Sequence, residues 1–281
     1  MRILLVGANG MLGHDLRGAL EHHDVVPVGS RELDVRDAAA CVTAAEGFDV
    51  IVNASAENGV DAAEADDTSA RAVNGDGPEH LALAAAAAGA RLVHVSTDYV
   101  FDGTATSPYP EDAPRNPLSA YGRSKADGEV RALAANHKTV VVRTAWLYGR
   151  NGSSFASTML RLAGERDTLQ VVDDQRGQPT YTRDLAEQIA AVIDAGVERA
   201  VLHGTSSGET TWFGFARAIF EEAGLDPERV LPTDSTAFQR PAPRPTYSVL
   251  GHDAWAAHGL SPIRDWREAL ADAVARGDLH A

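Results

Sequence analysis

A glycine turn near residue 7, set between an apolar strand and a helix, constrains this chain more than any other feature. Ile3–Val6 reads as a buried strand, and Gly7-Ala-Asn-Gly10-Met-Leu-Gly13 follows it directly. A helical pattern then runs from Met11 to His22. The spacing is G-x-x-G-x-x-G rather than the commoner G-x-G-x-x-G, but the physics is shared. Glycine permits a tight turn and lets backbone N–H groups approach a pyrophosphate at the positive end of a helix. Gly7, Asn9, Gly10, Met11, Leu12 and Gly13 are therefore the candidate pyrophosphate residues.

The same alternation continues. Val25–Val28, Val50–Asn53, Arg91–Ser96 and Thr139–Thr144 read as strands, with helical patterns over Asp37–Glu46, Ala70–Ala88 and Ala120–Asn136 between them. Continuous apolar strands joined by helical crossovers predict a parallel sheet covered on both faces. Right-handed crossovers make it doubly wound, an α/β Rossmann arrangement. Residues 1–150 are expected to form this nucleotide-binding domain. Residues 151–281 lose the rhythm and are expected to form a smaller substrate-binding lobe, partly interleaved with the first domain. Helices are predicted there at Phe155–Gly164, Thr182–Ala195, Thr211–Ala223 and Trp266–Arg276, with strands at Leu169–Val172 and Ala200–His203. Arg240-Pro-Ala-Pro-Arg-Pro245 predicts a stiff extended loop, because proline fixes its own backbone and restricts the residue before it.

The chain of 281 residues carries 25 Lys plus Arg against 40 Asp plus Glu, a formal charge of −15. That balance repels a nucleic-acid backbone and disfavours a dedicated DNA or RNA binder. Only two basic residues are lysines, Lys125 and Lys138. A GC-rich genome or a salt-loving, halophilic cytosol accounts for the scarcity, and the second is favoured. The single cysteine, Cys41, excludes an intramolecular disulfide and a multi-cysteine metal site. No signal-peptide pattern opens the chain, and the apolar run Leu81–Ala90 is too short for a bilayer, so a cytoplasmic protein with no membrane partner is expected.

Tyr121-Gly-Arg-Ser-Lys125 opens a predicted helix, and positions i and i+4 share one helix face. A lysine ammonium beside a phenol stabilises phenolate and lowers its pKa, making tyrosine a usable general acid in a reduction. The fourth strand ends in Ser96-Thr97-Asp98-Tyr99, and the carboxyl ends of such strands are where open parallel sheets bind ligands. Thr97 can hydrogen-bond a substrate carbonyl beside Tyr121. The second strand ends in Gly29-Ser30-Arg31, which suits a 2′-phosphate, so NADP is favoured over NAD. Asp34 and Val35 are placed at the adenine edge.

Taken together, these residues resemble the extended short-chain dehydrogenase/reductase family, and within it the dTDP-4-dehydrorhamnose reductase group. The resemblance rests on the glycine turn, Val52-Asn-Ala-Ser-Ala56, Ser96-Thr-Asp-Tyr-Val-Phe-Asp-Gly103, Tyr121–Lys125, Arg143-Thr-Ala-Trp-Leu-Tyr-Gly149, Asp174-Gln-Arg-Gly-Gln-Pro-Thr180 and Arg244-Pro-Thr-Tyr-Ser-Val-Leu250. It implies a catalytic Thr97, Tyr121 and Lys125, and reduction of the 4-keto group of a nucleotide-linked 6-deoxy sugar by a nicotinamide cofactor. It also implies cofactor contacts from Ala54, Ser55 and Ala56, and sugar contacts from Asp98 and Trp146, while Gln178 and Thr180 are expected to position either the sugar or the proline-rich loop. Arg240 and Arg244 are the candidates to meet the substrate diphosphate. A homodimer is compatible with the resemblance.

Glu57 and Asn58 depart from the family's less acidic pattern. Asp15 stands where some members carry a glutamate proposed to bind Mg²⁺ at a dimer contact; one carboxylate makes no site, and no metal is carried over. Gly204-Thr-Ser206-Ser-Gly208 matches the G-x-S-x-G nucleophile pattern, with Asp234 and His252 as nominal partners. The reductase residues and a helix cap at Thr210-Thr211 argue against that reading. Neighbouring His22 and His23 are read as helix-end surface residues. Asn53-Ala-Ser55 and Asn151-Gly-Ser153 match a glycosylation acceptor by chance. Two other functions fit the same motifs: a non-catalytic NADP-binding regulatory subunit, which intact Thr97, Tyr121 and Lys125 argue against, and a sugar-nucleotide epimerase or dehydratase.

Overall fold

The computed structural model describes residues 1–279. Its first half follows the expected rhythm: β1 (Arg2–Val6), α1 (Met11–Ala19), β2 (Asp24–Val28), α2 (Ala38–Ala44), β3 (Val50–Asn53), α3 (Gly77–Ala88), β4 (Arg91–Thr97), α4 (Ala120–Ala135) and β5 (Thr139–Thr144). The second half adds α5 (Phe155–Glu165), β6 (Leu169–Val172), α6 (Thr182–Asp194), β7 (Ala200–His203), α7 (Trp212–Glu222), β8 (Val230–Thr233) and α8 (Trp266–Ala275).

Six strands form one parallel sheet in the order β7-β5-β4-β3-β1-β2. Chain direction across the sheet reverses between β1 and β3, which creates the switch-point crevice at their carboxyl ends. Period-two alternation divides β1 between two cores. Ile3 and Leu5 pack with Leu12, Leu16, Leu185 and Ile189 on one face. Leu4 and Val6 pack with Cys41, Leu81 and Ala85 on the other.

Residues from beyond 150 thus complete the main sheet: β7 extends it beside β5, and α6 packs Leu185, Ile189 and Ile193 on its face. A third core around Tyr148, Met159, Leu169, Tyr181 and Phe215 gathers α5, β6, α7 and α8 into the smaller lobe. The strand β8 pairs in parallel with β6 and is invisible to sequence reading. It contains Pro232, which a two-stranded edge tolerates and a sheet interior does not.

Caps explain most helix starts. Asp37 accepts from the N–H groups of Ala39 and Ala40. Ser119 accepts from Gly122 N–H and starts α4 one residue before Tyr121. The helix expected from Ala70 departs from α geometry: Arg71–Asp76 is a π-helical turn ahead of α3. That turn carries Asn74 into the interior, where its amide donates to the Glu57 carbonyl and the Ser124 hydroxyl and accepts from Glu57 N–H. The helix expected to reach His22 ends at Ala19, because the chain must reverse before β2 begins at Asp24. Among the described residues, no helix is long and apolar enough to cross a membrane.

Candidate active site

Gly7 has a φ of +83°, and a Cβ there would lie 2.6 Å from the Ala54 carbonyl carbon. Only glycine fits where the first turn passes over the end of β3. Gly13 lies against Gly7 and Ala8 in the same way, so α1 starts close to the turn. Beyond the turn lies a cavity of about 490 Å³, lined by Gly7, Asn9, Gly10, Ser30, Asp34, Val35 and the 54–58 segment. The cradle, the free helix N-terminus and the cavity together fit a dinucleotide.

Arg31, the expected 2′-phosphate partner, is exposed and does not line this cavity; Arg36 does. Arg36 holds Asp34 through a bond of 2.6 Å from Nη2, and this pairing draws the Asp34 carboxyl down to about 2. Sequence reading missed Arg36 because nothing in its spacing tells which way a loop side chain turns.

A second cavity, about 410 Å³, shares Gly10, Ala54, Ser55, Ala56 and Asn58 with the first. Met11, Leu12, Thr97, Asp98, Tyr121, Lys125 and Trp146 also line it. The expected catalytic and cofactor residues therefore converge, although Thr97 ends β4 and Tyr121 opens α4. Thr97 Oγ1 donates to Asp98 Oδ1 at 3.0 Å and accepts from Tyr99 N–H at 3.2 Å. Lys125 is almost wholly buried, and its Nζ donates to the Val95 carbonyl at 2.7 Å.

The electrostatics differ from expectation. Burial raises the Tyr121 phenol to about 12, opposed by the Thr97 hydroxyl and reinforced by the Asp98 charge. Burial also lowers Lys125 to about 8, against the pull of Glu129. The expected lowering of the phenol by Lys125 is absent. The lysine turns toward Val95, and desolvation outweighs any field it casts on the phenol. A phenol held protonated at neutral pH still suits a group that must give up a proton.

Glu129 lies beneath Lys125. Burial opposes its ionisation, but hydrogen bonds from Arg143 and Arg115 overcome that and hold it at about 2. Burial raises Asp98 to about 6.

Among the described residues Trp146 is the one non-glycine residue with positive φ, at 46°, and this strained backbone places it in the wall of the second cavity. Trp212, at the start of α7, stacks on it and also lines a third cavity of about 500 Å³. Tyr99, Phe155, Arg240 and Arg244 line that third cavity too. Arg244 clamps Asp61 through both nitrogens, at 2.6 and 3.0 Å, and Arg240 approaches the same carboxylate at 3.4 Å. Both arginines stand at the cavity, but the stronger one is already anchored. Trp212 and Tyr99 were not singled out from the sequence. An aromatic at a helix start reads as core, and only the lobe packing turns it toward the site.

Of the two roles expected for Gln178, the sugar or the loop, the contacts favour the loop. Gln178 is buried and lines none of these cavities. Its Oε1 accepts from Thr205 Oγ1 and Leu250 N–H, and its Nε2 donates to the Leu250 carbonyl, so it ties two loops together. The G-x-S-x-G residues do not assemble either. Ser206 is fully buried, His252 Nε2 meets the Thr205 hydroxyl, and Asp234 caps a short helical turn. Asn53 is fully buried, with its side chain bonded to His94 and Ser55. Asp15 lies on α1 against Thr182, its acid raised by burial, and lines none of the three cavities.

The model of the RmlD substrate binding domain family matches residues 1–278. A dTDP-4-dehydrorhamnose reductase from Mycobacterium tuberculosis is 47% identical over 98% of this chain and 92% of that protein. The chain belongs to the dTDP-4-dehydrorhamnose reductase family. Another relative, a probable dTDP-4,6-dihydroxy-2-methyloxan-3-one 4-ketoreductase from Streptomyces antibioticus, is 48% identical over 97% of this chain and 94% of its own. A dTDP-4-dehydrorhamnose reductase from Bacillus anthracis, solved in complex with NADP, superposes with a TM-score of 0.94 at 34% identity. That match covers 98% of this chain and 99% of the other. Family membership agrees with the three adjoining cavities and the residues at their junction.

Proposed function

We propose that this protein is an NADPH-dependent reductase of the 4-keto group of a dTDP-linked 6-deoxy sugar, the reaction of a dTDP-4-dehydrorhamnose reductase. One observation carries the reading: Thr97, Tyr121 and Lys125 line a single cavity with Trp146, directly beside the cavity of the glycine turn. The names of the relatives supply the sugar and the base.

The Gly7–Gly13 turn and the 54–58 segment would hold the cofactor, with Ser30 and Arg36 at its ribose-phosphate end. When bound, NADPH supplies the hydride. Tyr121 gives its phenolic proton to the carbonyl oxygen as negative charge develops there. Thr97 donates a hydrogen bond to the same oxygen, in the manner of an oxyanion donor. Lys125, whose Nζ donates to the Val95 carbonyl here, would hold ribose hydroxyls of the bound cofactor and place its positive charge toward the phenol. The Trp146–Trp212 stack walls the sugar and keeps water out. Arg240, Arg244 and the third cavity receive the diphosphate end of the substrate.

NADPH oxidation with dTDP-4-dehydro-6-deoxy-L-mannose, compared with other nucleotide-linked keto sugars, tests this reading. Fastest oxidation with that sugar is expected. No oxidation with any of them would remove the substrate while leaving the fold untouched.

A further inference from the structure

His22 and His23 follow the C-terminal end of α1, and Asp194 is the last residue of α6. Asp194 lies far in sequence from the adjacent pair His22 and His23, yet all three meet at the amino-terminal edge of the sheet, opposite the carboxyl-end crevice. His22 Nε2 is 3.1 Å from Asp194 Oδ2, and His23 Nε2 is 2.8 Å from Oδ1. The two imidazole rings lie with centroids 4.1 Å apart. One donor atom from each residue falls within 4.8 Å of the others, the single such cluster among the described residues.

We propose that His22, His23 and Asp194 form a binding site for a borderline divalent transition cation, of which Zn²⁺ is the type. Two imidazole nitrogens and one carboxylate oxygen are a donor set that favours such ions over Mg²⁺, which prefers oxygen alone. With metal–ligand bonds of about 2.0–2.2 Å, tetrahedral ligands stand roughly 3.3 Å apart. The two histidine-to-aspartate separations need only a small opening to admit an ion, and the two imidazole donors lie within 4.8 Å of each other. Each Nε2 must then give up its hydrogen, which neutral imidazole does by moving it to Nδ1.

Burial is graded usefully for this purpose. The His23 side chain is only 10% exposed and acts as the fixed anchor, whereas His22 is 50% exposed and leaves room for water in the remaining coordination positions. Both helices, α1 and α6, also end at this edge, and a helix C-terminus favours a cation. The ion would pin the end of α1 to the end of α6, two helices that cover the same sheet face. It would stabilise the fold rather than join the chemistry.

Titrating the purified, chelator-stripped full chain with Zn²⁺ by calorimetry, with Mg²⁺ in parallel, tests the site. One Zn²⁺ per chain is expected, with a raised melting temperature because only the folded chain assembles the three donors. Mg²⁺ should produce neither effect. The double variant H22A/H23A should bind Zn²⁺ at least about 100-fold more weakly and lose the thermal shift, and Asp194→Asn should weaken binding about 10-fold. Circular dichroism of the metal-free variants checks that they fold, and reductase turnover should match that of the unaltered chain. Undiminished Zn²⁺ affinity in H22A/H23A, or no binding at about 100 μM to the unaltered chain, overturns the proposal.

Discussion

The indole of Trp146 stacks on that of Trp212, with ring centroids 3.6 Å apart and planes 12° from parallel. One tryptophan follows β5 of the main sheet and the other opens α7, so the pair joins the sheet to the third core at the wall of the second cavity. Stacked aromatic pairs contribute about 0.5–1.5 kcal/mol beyond their buried area. Trp212→Ala is expected to raise KM for the nucleotide sugar roughly 10-fold while KM for NADPH changes little. Steady-state kinetics with each substrate varied in turn would show it. Equal effects on both constants would mean that Trp212 supports the whole cleft instead of the sugar wall.

Tyr121 and Lys125 should be indispensable in different ways. Tyr121→Phe removes the proton donor and is expected to lower kcat by at least about 100-fold with cofactor affinity kept. Lys125→Met should weaken NADPH binding as well as turnover, since the ribose hydroxyls lose their partner. Fluorescence titration of NADPH separates the two. Lys125 sits at about 8 in the free protein, so kcat/KM should fall as pH rises past that value. The residual activity of Lys125→Met should lack that limb.

Arg36 neutralises Asp34 at the edge of the dinucleotide cavity. Removing it would leave a bare carboxylate facing the site of the 2′-phosphate. Arg36→Ala is therefore expected to raise KM for NADPH about 10-fold and to leave KM for NADH nearly unchanged. Kinetics with both cofactors decide it, and Arg31→Ala, which alters a side chain outside the cavity, is the control.

Asp98 is costly to keep ionised. Its folded pKa of about 6 stands above the ordinary 3.8, because burial disfavours the charge. Stability from this group is greatest below pH 3.8 and is lost as pH rises through 6, since the folded chain holds the proton more tightly. A shift of this size is worth about 3 kcal/mol at neutral pH. Asp98→Asn should melt higher than the unaltered chain at pH 7, and the gap should close at pH 4. An equal gap at both values would show that the carboxylate is not strained by burial.

Beneath the active helix, Arg143 and Glu129 form a buried ion pair at 2.8 Å. Removing Arg143 leaves the buried Glu129 with Arg115 as its remaining ion-pair partner, so Arg143→Met is expected to destabilise the fold by about 3 kcal/mol, the low end for a broken buried pair. Urea unfolding at pH 7 measures it. The folded pKa of Glu129 is depressed, so the pair's contribution is present above the ordinary 4.5 and lost as pH falls toward 2.

Much of the protein was legible in one dimension. Strand and crossover order, the glycine turn, the Tyr121–Lys125 spacing and the Thr97 strand end are local patterns, and each is dictated by backbone sterics or by helix and sheet periodicity. Five strands of the main sheet were placed within a residue or two, and so was β7. The π-helical turn at Arg71–Asp76, the proline-bearing β8 and the early end of α1 were not, because contacts with distant segments decided them.

The residue types at the candidate active site were determined by sequence, and so was the family, since they depend on short spacings. Side-chain direction and electrostatic state were decided by tertiary structure alone. The fold set Arg36 at the rim of the dinucleotide cavity and Arg31 away from it, used Gln178 to tie loops, and set Trp212 against Trp146. It also drew the ammonium of Lys125 onto the Val95 carbonyl and brought Asp194 to His22 and His23. Each outcome depends on which distant groups share a low-dielectric neighbourhood, and no linear spacing records that.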